Sequence, residues 1–236
     1  MTATQTESEW RLLREPRKYR PAIIAHKGGN TAAKALSAIE DVADYLEVDL
    51  WVHDGRFEAR HEARLLNRLP VLFERGRFSL VPKRPFGLAE LLEHTEGHID
   101  IFLDLKNGGT QAAQLVRKAI DESGYAHRLA ASSQLWSVLR GLHAVVPEVD
   151  LFYSMGVRAQ LDLFLSVSQR DTKPRGVSCR HDLLTKEIID TLHNRGLLVV
   201  AWTVDDIDRA EQLAEMGVDG ITTHRVVEIR KRLGIT

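Results

Sequence analysis

Cysteine is almost absent from this 236-residue chain: Cys179 is the only one. A lone thiol excludes an intrachain disulfide and makes a reducing compartment, the cytoplasm, the natural setting. Long apolar runs are missing too, so no segment reaches the length needed to insert across a bilayer. The first 20 residues, MTATQTESEWRLLREPRKYR, lack the apolar core of a secretion signal and read as a polar N-terminal lead-in. Neither sign of charge is in excess. Lys and Arg number 32 and Asp and Glu 33, which argues against a general nucleic-acid binder. Gly28 and Gly29 are too few for a nucleotide-binding fingerprint and read as a tight turn or a close backbone approach. What remains is 44% hydrophobic residues, enough for a sizeable core, and residues 21–236 read as one domain. The oligomeric state is not legible.

Short β-branched runs alternate with helical stretches along that domain. AIIAH (22–26) precedes TAAKALSAIEDVADY (31–45), in which Ala32, Leu36, Ile39 and Ala43 fall near helical spacing. YLEVDLWV, IDIFLDLK, RLAASSQ, VDLFYSM, GVSCR, LLVVAWTV and DGITTH follow as further strands, most of them leading into a helix. Eight parallel strand–helix units predict an α/β fold, a (β/α)8 TIM barrel, with an open doubly wound sheet as the rival. Asp54-Gly55 interrupts the pattern with a hairpin signal, so 57–61 folds back antiparallel on the second strand. A two-residue loop there would pair His53 with Arg56 and turn His61 away from the Glu47 face. A three-residue loop over 53–55, bulged at Gly55, pairs Val52 with Arg56 and sets His61 opposite Glu47. This second version is the one expected. The segment 63–87 carries Arg64, Arg68, Arg75, Arg77, Lys83 and Arg84 against Glu74 alone. It reads as a solvated loop or as a basic rim over an anionic substrate.

In such a barrel the C-terminal strand ends carry the chemistry. His26 and Lys27 end the first strand. Glu47 and Asp49, two apart, share one face of the second strand, as Asp104 and Lys106 do on the third. Paired carboxylates inside a barrel repel and lose hydration, and a third beside them favours a divalent cation over a shared proton. An all-oxygen set suits Mg²⁺ or Ca²⁺. His26 and His61 would flank the same cavity. Two imidazoles are what a phosphodiester displacement requires, one to accept the nucleophile's proton and one to protonate the leaving oxygen. The other histidines, His53, His94, His98, His127, His143, His181, His193 and His224, read as packing or surface residues.

Four stretches resemble one known family. IIAHKGGN-T is similar to the AHRG…ENT opening of glycerophosphodiester phosphodiesterases. LEVDLWVHDGRFEARHE resembles their E-x-D…DG…HD stretch, IFLDLK their E-x-K strand, and LLVVAWTVDDIDRAEQLAEMGVDGITT their C-terminal WTV…GVDGIITD. The resemblance implies a barrel that hydrolyses glycerophosphodiesters, small-molecule substrates, to glycerol 3-phosphate and an alcohol with a divalent cation. It implies His26 and His61 as the acid/base pair and Glu47, Asp49 and Asp104 as metal ligands. Lys27 and Lys106 would contact phosphate, and Trp202 would line the pocket. The chain departs from the pattern in four places. Lys27 stands for arginine, the loop after Gly29 is short and lacks a glutamate, Asp104 stands for glutamate, and Glu62 follows His61 in place of aspartate. Two alternatives stay open: a phospholipase D-like lyase that releases a cyclic phosphate, and a catalytically silent phosphate-binding barrel.

Overall fold

A computed structural model describes residues 20–67, 69–74, 76–125, 128–167 and 174–235. Nearly all of the lead-in, with Arg68, Arg75 and His127, lies outside the described residues. In chain order the strands are β1 (Ala22–Ala25), β2 (Tyr45–His53), β3 (Arg56–Ala59), β4 (Val71–Glu74), β5 (Arg77–Leu80), β6 (Asp100–Leu105), β7 (Leu129–Ser133), β8 (Asp150–Met155), β9 (Gly176–Arg180), β10 (Leu198–Trp202) and β11 (Gly220–Thr223). The helices are α1 (Ala32–Glu40), α2 (Leu88–Thr95), α3 (Gly109–Glu122), α4 (Trp136–Val145), α5 (Arg158–Val167), α6 (Lys186–Asn194), α7 (Ile207–Met216) and α8 (Val226–Arg232).

Strands β1, β2 and β6 to β11 pair in parallel, and β1 joins both β2 and β11, so the sheet closes into the expected eight-stranded barrel. Side-chain period two divides the strands between two apolar regions. Outward residues such as Leu46, Val48, Ile101, Leu103 and Val199 pack under the helices. Inward residues Ile24, Tyr45, Phe102, Ala130, Phe152 and Val200 plug the barrel floor, with the Phe102 and Phe152 rings 5.3 Å apart. Capping side chains fix several helix starts. Thr31 Oγ1 accepts from the Lys34 N–H at 3.3 Å and Asp206 Oδ1 from the Arg209 N–H at 2.8 Å. No described helix is long and apolar enough to cross a membrane.

Three local features differ from the sequence reading. First, α1 stops at Glu40 and buries Ala35 and Ala38 while Leu36 is exposed. Second, residues 63–87 contain the β4–β5 hairpin, and α2 follows it as the helix of the second barrel unit. Third, the β2–β3 register corrects the expectation: His53 pairs with Arg56 and Val52 with Phe57. Asp54 (φ 47°) and Gly55 (φ 73°) are both left-handed, which makes a two-residue type I′ turn. Its twist matches that of the strands it joins, so no bulge is needed.

Candidate active site

His61 nevertheless reaches the cavity, because the β2–β3 ladder opens before it. The Asp49 N–H donates at 2.9 Å to the Asn30 side-chain oxygen, and the Ala59 N–H donates at 2.7 Å to the Phe86 carbonyl. Beyond the Arg60 N–H, which donates to the Asp49 carbonyl at 3.0 Å, the chain is free to swing over the barrel mouth. Two devices hold it there. The Trp51 indole N–H donates to the His61 carbonyl at 3.3 Å. Buried Glu58 accepts from Arg60 Nε at 2.9 Å, and from Arg64 Nη2 at 2.5 Å and Nε at 3.1 Å. Arg64, expected at a basic rim, is therefore committed to bracing the loop. Burial pushes the Glu58 carboxyl up, but the two guanidiniums outweigh it and hold it below its ordinary range.

Above the apolar floor, the next inward residue on each strand is polar. Tyr45 is followed by Glu47 and Asp49, Phe102 by Asp104 and Lys106, Ala130 by Ser132, Phe152 by Ser154 and Val200 by Trp202. With His26, His61, Gln134, Ser178, Thr203 and Thr222 they line a cavity of about 150 Å³. One carboxylate oxygen each from Glu47, Asp49 and Asp104 lies within 4.8 Å of the others. Lys106 Nζ pairs with Asp49 Oδ1 at 2.8 Å and with Asp104 Oδ2. Asn30 Nδ2 donates to Asp49 Oδ2 at 2.8 Å.

The electrostatics show how incompletely this cluster is compensated. Burial, then Asp49 and Asp104, pushes the Glu47 carboxyl well above its ordinary value. Burial also pushes Asp104 up despite Lys106. Asp49 goes the other way: burial opposes its charge, but Lys106 and Asn30 outweigh burial. For Lys106 burial disfavours the ammonium, and Asp104 and Asp49 more than restore it. One lysine facing three carboxylates, two of them buried and the third half-buried, leaves room for a further cation. The oxygen-only donor set fits a hard divalent ion.

The imidazoles sit on the rim of this cluster. The His26 and His61 ring centroids are 6.4 Å apart at 83°. His61 Nδ1 lies 2.6 Å from Glu62 Oε1, which leaves Nε2 for a ligand. His26 is half-buried, and its Nδ1 is buried with no partner among the described residues. Burial, then the His224 ring, lowers the His26 pKa to about 3. His224 was expected to be inert. Its ring centroid is 4.4 Å from that of His26, and its Nδ1 is 2.8 Å from Asp205 Oδ2.

Lys27 arrives differently from the expectation. It is left-handed (φ 56°), and its backbone N–H donates to Glu47 Oε2 at 2.5 Å. Its side chain is not among those lining the cavity. Trp202 does line the cavity, and its indole nitrogen is buried with no partner among the described residues. Sequence reasoning missed Asn30, His224 and the hydroxyls of Ser132, Ser154 and Ser178. The hydroxyls could have been found by carrying the period-two count one step above the apolar floor.

Comparison with known proteins gives a consistent result. Residues 104–228, just over half of the chain, match the glycerophosphoryl diester phosphodiesterase family model. The Bacillus subtilis (strain 168) protein YhdW, provisionally named a glycerophosphodiester phosphodiesterase, is 25% identical over 232 residues. That match covers 85% of this chain and 93% of YhdW. An Oleispira antarctica phosphodiesterase, solved with the product sn-glycerol-3-phosphate, superposes with a TM-score of 0.74 at 17% identity. The superposition covers 92% of this chain and 98% of that one. A Parabacteroides distasonis glycerophosphodiester phosphodiesterase gives 0.73 at 20% identity, over 91% and 97% of the two chains. At these identities the two structures speak for the fold. The family match takes in Asp104, Lys106, Trp202 and every strand from β7 to β11, and the chain accordingly belongs to the glycerophosphoryl diester phosphodiesterase family.

Proposed function

We propose that the protein hydrolyses a small glycerophosphodiester to glycerol 3-phosphate and an alcohol, using a divalent cation and the His26–His61 pair. One observation carries this reading. Three carboxylates from two neighbouring strands converge within 4.8 Å, and two imidazoles 6.4 Å apart stand over them. Family membership and the product complex of the Oleispira antarctica phosphodiesterase support the substrate class.

Glu47, Asp49 and Asp104 would hold Mg²⁺ or Ca²⁺, which when bound supplies Lewis-acid stabilisation of phosphoryl oxygens. Lys106 places a positive charge beside the same oxygens, and Asn30 fixes the Asp49 carboxylate. His26, kept neutral by burial, takes the proton of the attacking hydroxyl, either of water directly or of glycerol, in which case water then opens the resulting cyclic phosphate. His61, with Nδ1 held by Glu62, delivers a proton from Nε2 to the departing alkoxide. The Trp202 ring forms an apolar wall for the glycerol or alcohol portion. Lys27 contributes its backbone amide to Glu47, and its ammonium is proposed to approach phosphate only when substrate is present.

His26→Ala and His61→Ala are expected to lower kcat for glycerophosphocholine by about 10²–10⁴-fold each. Phosphorus NMR should show glycerol 3-phosphate as the product. Unchanged turnover in His26→Ala would end the acid/base assignment. A persistent cyclic phosphate would replace hydrolysis by the lyase reaction, and binding without turnover by wild type would leave a silent barrel.

A further inference from the structure

The two imidazoles over the acidic cluster are held in different ways. His61 has an orienting hydrogen bond, with Nδ1 2.6 Å from Glu62 Oε1. No such bond reaches the buried Nδ1 of His26 among the described residues. What the His26 ring has is a neighbour. The His224 ring stands 4.4 Å away, centroid to centroid, at 60°, an edge-to-face contact. That is closer than His61, at 6.4 Å.

His224 is itself firmly placed. It follows β11, and Asp205 follows the neighbouring strand β10. Asp205 Oδ2 lies 2.8 Å from His224 Nδ1, while Oδ1 accepts the His224 backbone N–H at 2.9 Å and the Thr223 hydroxyl at 3.0 Å. One carboxylate thus fixes both the backbone and the ring of the same residue. Burial pushes the Asp205 carboxyl up, but its bonds to His224 and Thr223 outweigh burial and hold it below its ordinary range. An ionised carboxylate only accepts, so His224 Nδ1 carries a proton and the ring plane is set. The two side chains are 44% and 45% exposed, and an ion pair so exposed adds little to stability. What it adds here is order beside His26. His224 is not among the residues that line the cavity, so its effect runs through the ring it touches.

We propose that His224, clamped by Asp205, is a positioning residue: its ring holds His26 in the orientation from which the nucleophile's proton is taken. This rests on the reading of His26 as the base given above. Proton transfer needs the imidazole nitrogen within hydrogen-bond reach and aligned, and a misplacement of about 1 Å can cost about 10²-fold in rate. The site therefore uses two orienting devices, a hydrogen bond for His61 and an anchored aromatic contact for His26.

Crystal structures of the full chain, wild type and His224→Ala, read the ring directly and need no turnover. The His26 ring is expected in one orientation in wild type and rotated, or split between two orientations, in the variant. With glycerophosphocholine and saturating Mg²⁺, His224→Ala should lower kcat by about 10–100-fold and leave KM nearly unchanged. Asp205→Asn, which keeps the size of the side chain, should act the same way to a smaller extent. In a His26→Ala background neither substitution should cost anything further, because the residue they act through is gone. A His26 ring unmoved in His224→Ala would overturn the proposal. So would kcat unchanged in both variants, or losses that multiply with that of His26→Ala, the mark of a general structural role. A wild type that does not turn over the diester would end the proposed function instead, and the ring orientation would still decide whether His224 holds His26.

Discussion

Asn30 is the residue whose removal should be most informative without touching the chemistry directly. It donates to Asp49 Oδ2 and accepts from the Asp49 N–H, so it fixes both the carboxylate and the backbone that carries it. Asp49 is a metal ligand in the proposed site, and hydrogen-bond partners of metal ligands are typically worth about 10–100-fold in metal affinity. Asn30→Ala is expected to raise the cation concentration for half-maximal activity by that factor, while kcat at saturating cation falls less. A titration of activity against Mg²⁺ checks it, and an unchanged midpoint would contradict the role. The residue was visible in the sequence as part of GGN, but its function was not. Nothing local says that residue 30 meets residue 49. His224 was missed for the same reason, since its neighbours, His26 and Asp205, are distant in sequence.

Elements decide where these residues can stand. Gly29 lies in the turn between β1 and α1, where an added Cβ would be 2.7 Å from Val48 Cβ and 2.9 Å from Leu91 Cδ2. Gly29→Ala should therefore cost about 1–3 kcal/mol, by the usual penalty for overpacking. Chemical denaturation measures it, and a cost near zero would show that α2 yields easily. On the far side of the barrel, His193 of α6 binds Asp219, with Nε2 2.9 Å from Oδ2. Asp219 Oδ2 also accepts the Val199 N–H at 2.7 Å. The hydrogen bond to Asp219 raises the His193 pKa above 6.5, against the pull of burial. Protonated His193 therefore favours the fold, with its contribution complete below the unfolded-state pKa and fading as pH rises through the folded-state one. The stability gap between wild type and His193→Ala should be on the order of 1 kcal/mol in the acidic range, at the low end because the ring is partly exposed, and shrink with alkalinity. A gap that widens with pH would reverse the argument.

Strand elements were legible because apolar alternation and β-branching survive in the sequence, and their tandem repetition pointed to the barrel. The hairpin register was not. A three-residue loop is needed to bring His61 to the Glu47 face only if pairing continues to residue 61, and the β2–β3 pairing ends at Leu50 and Ala59. The ladder in fact opens once Asn30 takes the Asp49 N–H. The face of α1 was also misread, because Leu36 looked like core and two alanines were buried in its place. Alanines let a helix lie close to a strand, and that fit depends on the tertiary partner.

For the molecule as a whole, near-neutral net charge conceals strong separation. Three acidic groups and one lysine share the barrel mouth, while the basic excess is gathered in the 63–87 segment. The mouth was largely legible, since Glu47, Asp49, Asp104, Lys106, His26, His61 and Trp202 all line one cavity. Their convergence follows from a closed sheet in which every strand ends at the same rim. The central claim is that this acidic cluster works only around a divalent ion. Release of glycerol 3-phosphate from glycerophosphocholine, measured on chelator-stripped protein before and after Mg²⁺ or Ca²⁺ is restored, tests it most directly. The account predicts activity lost on stripping and recovered with the ion. Undiminished release from the stripped protein would contradict it.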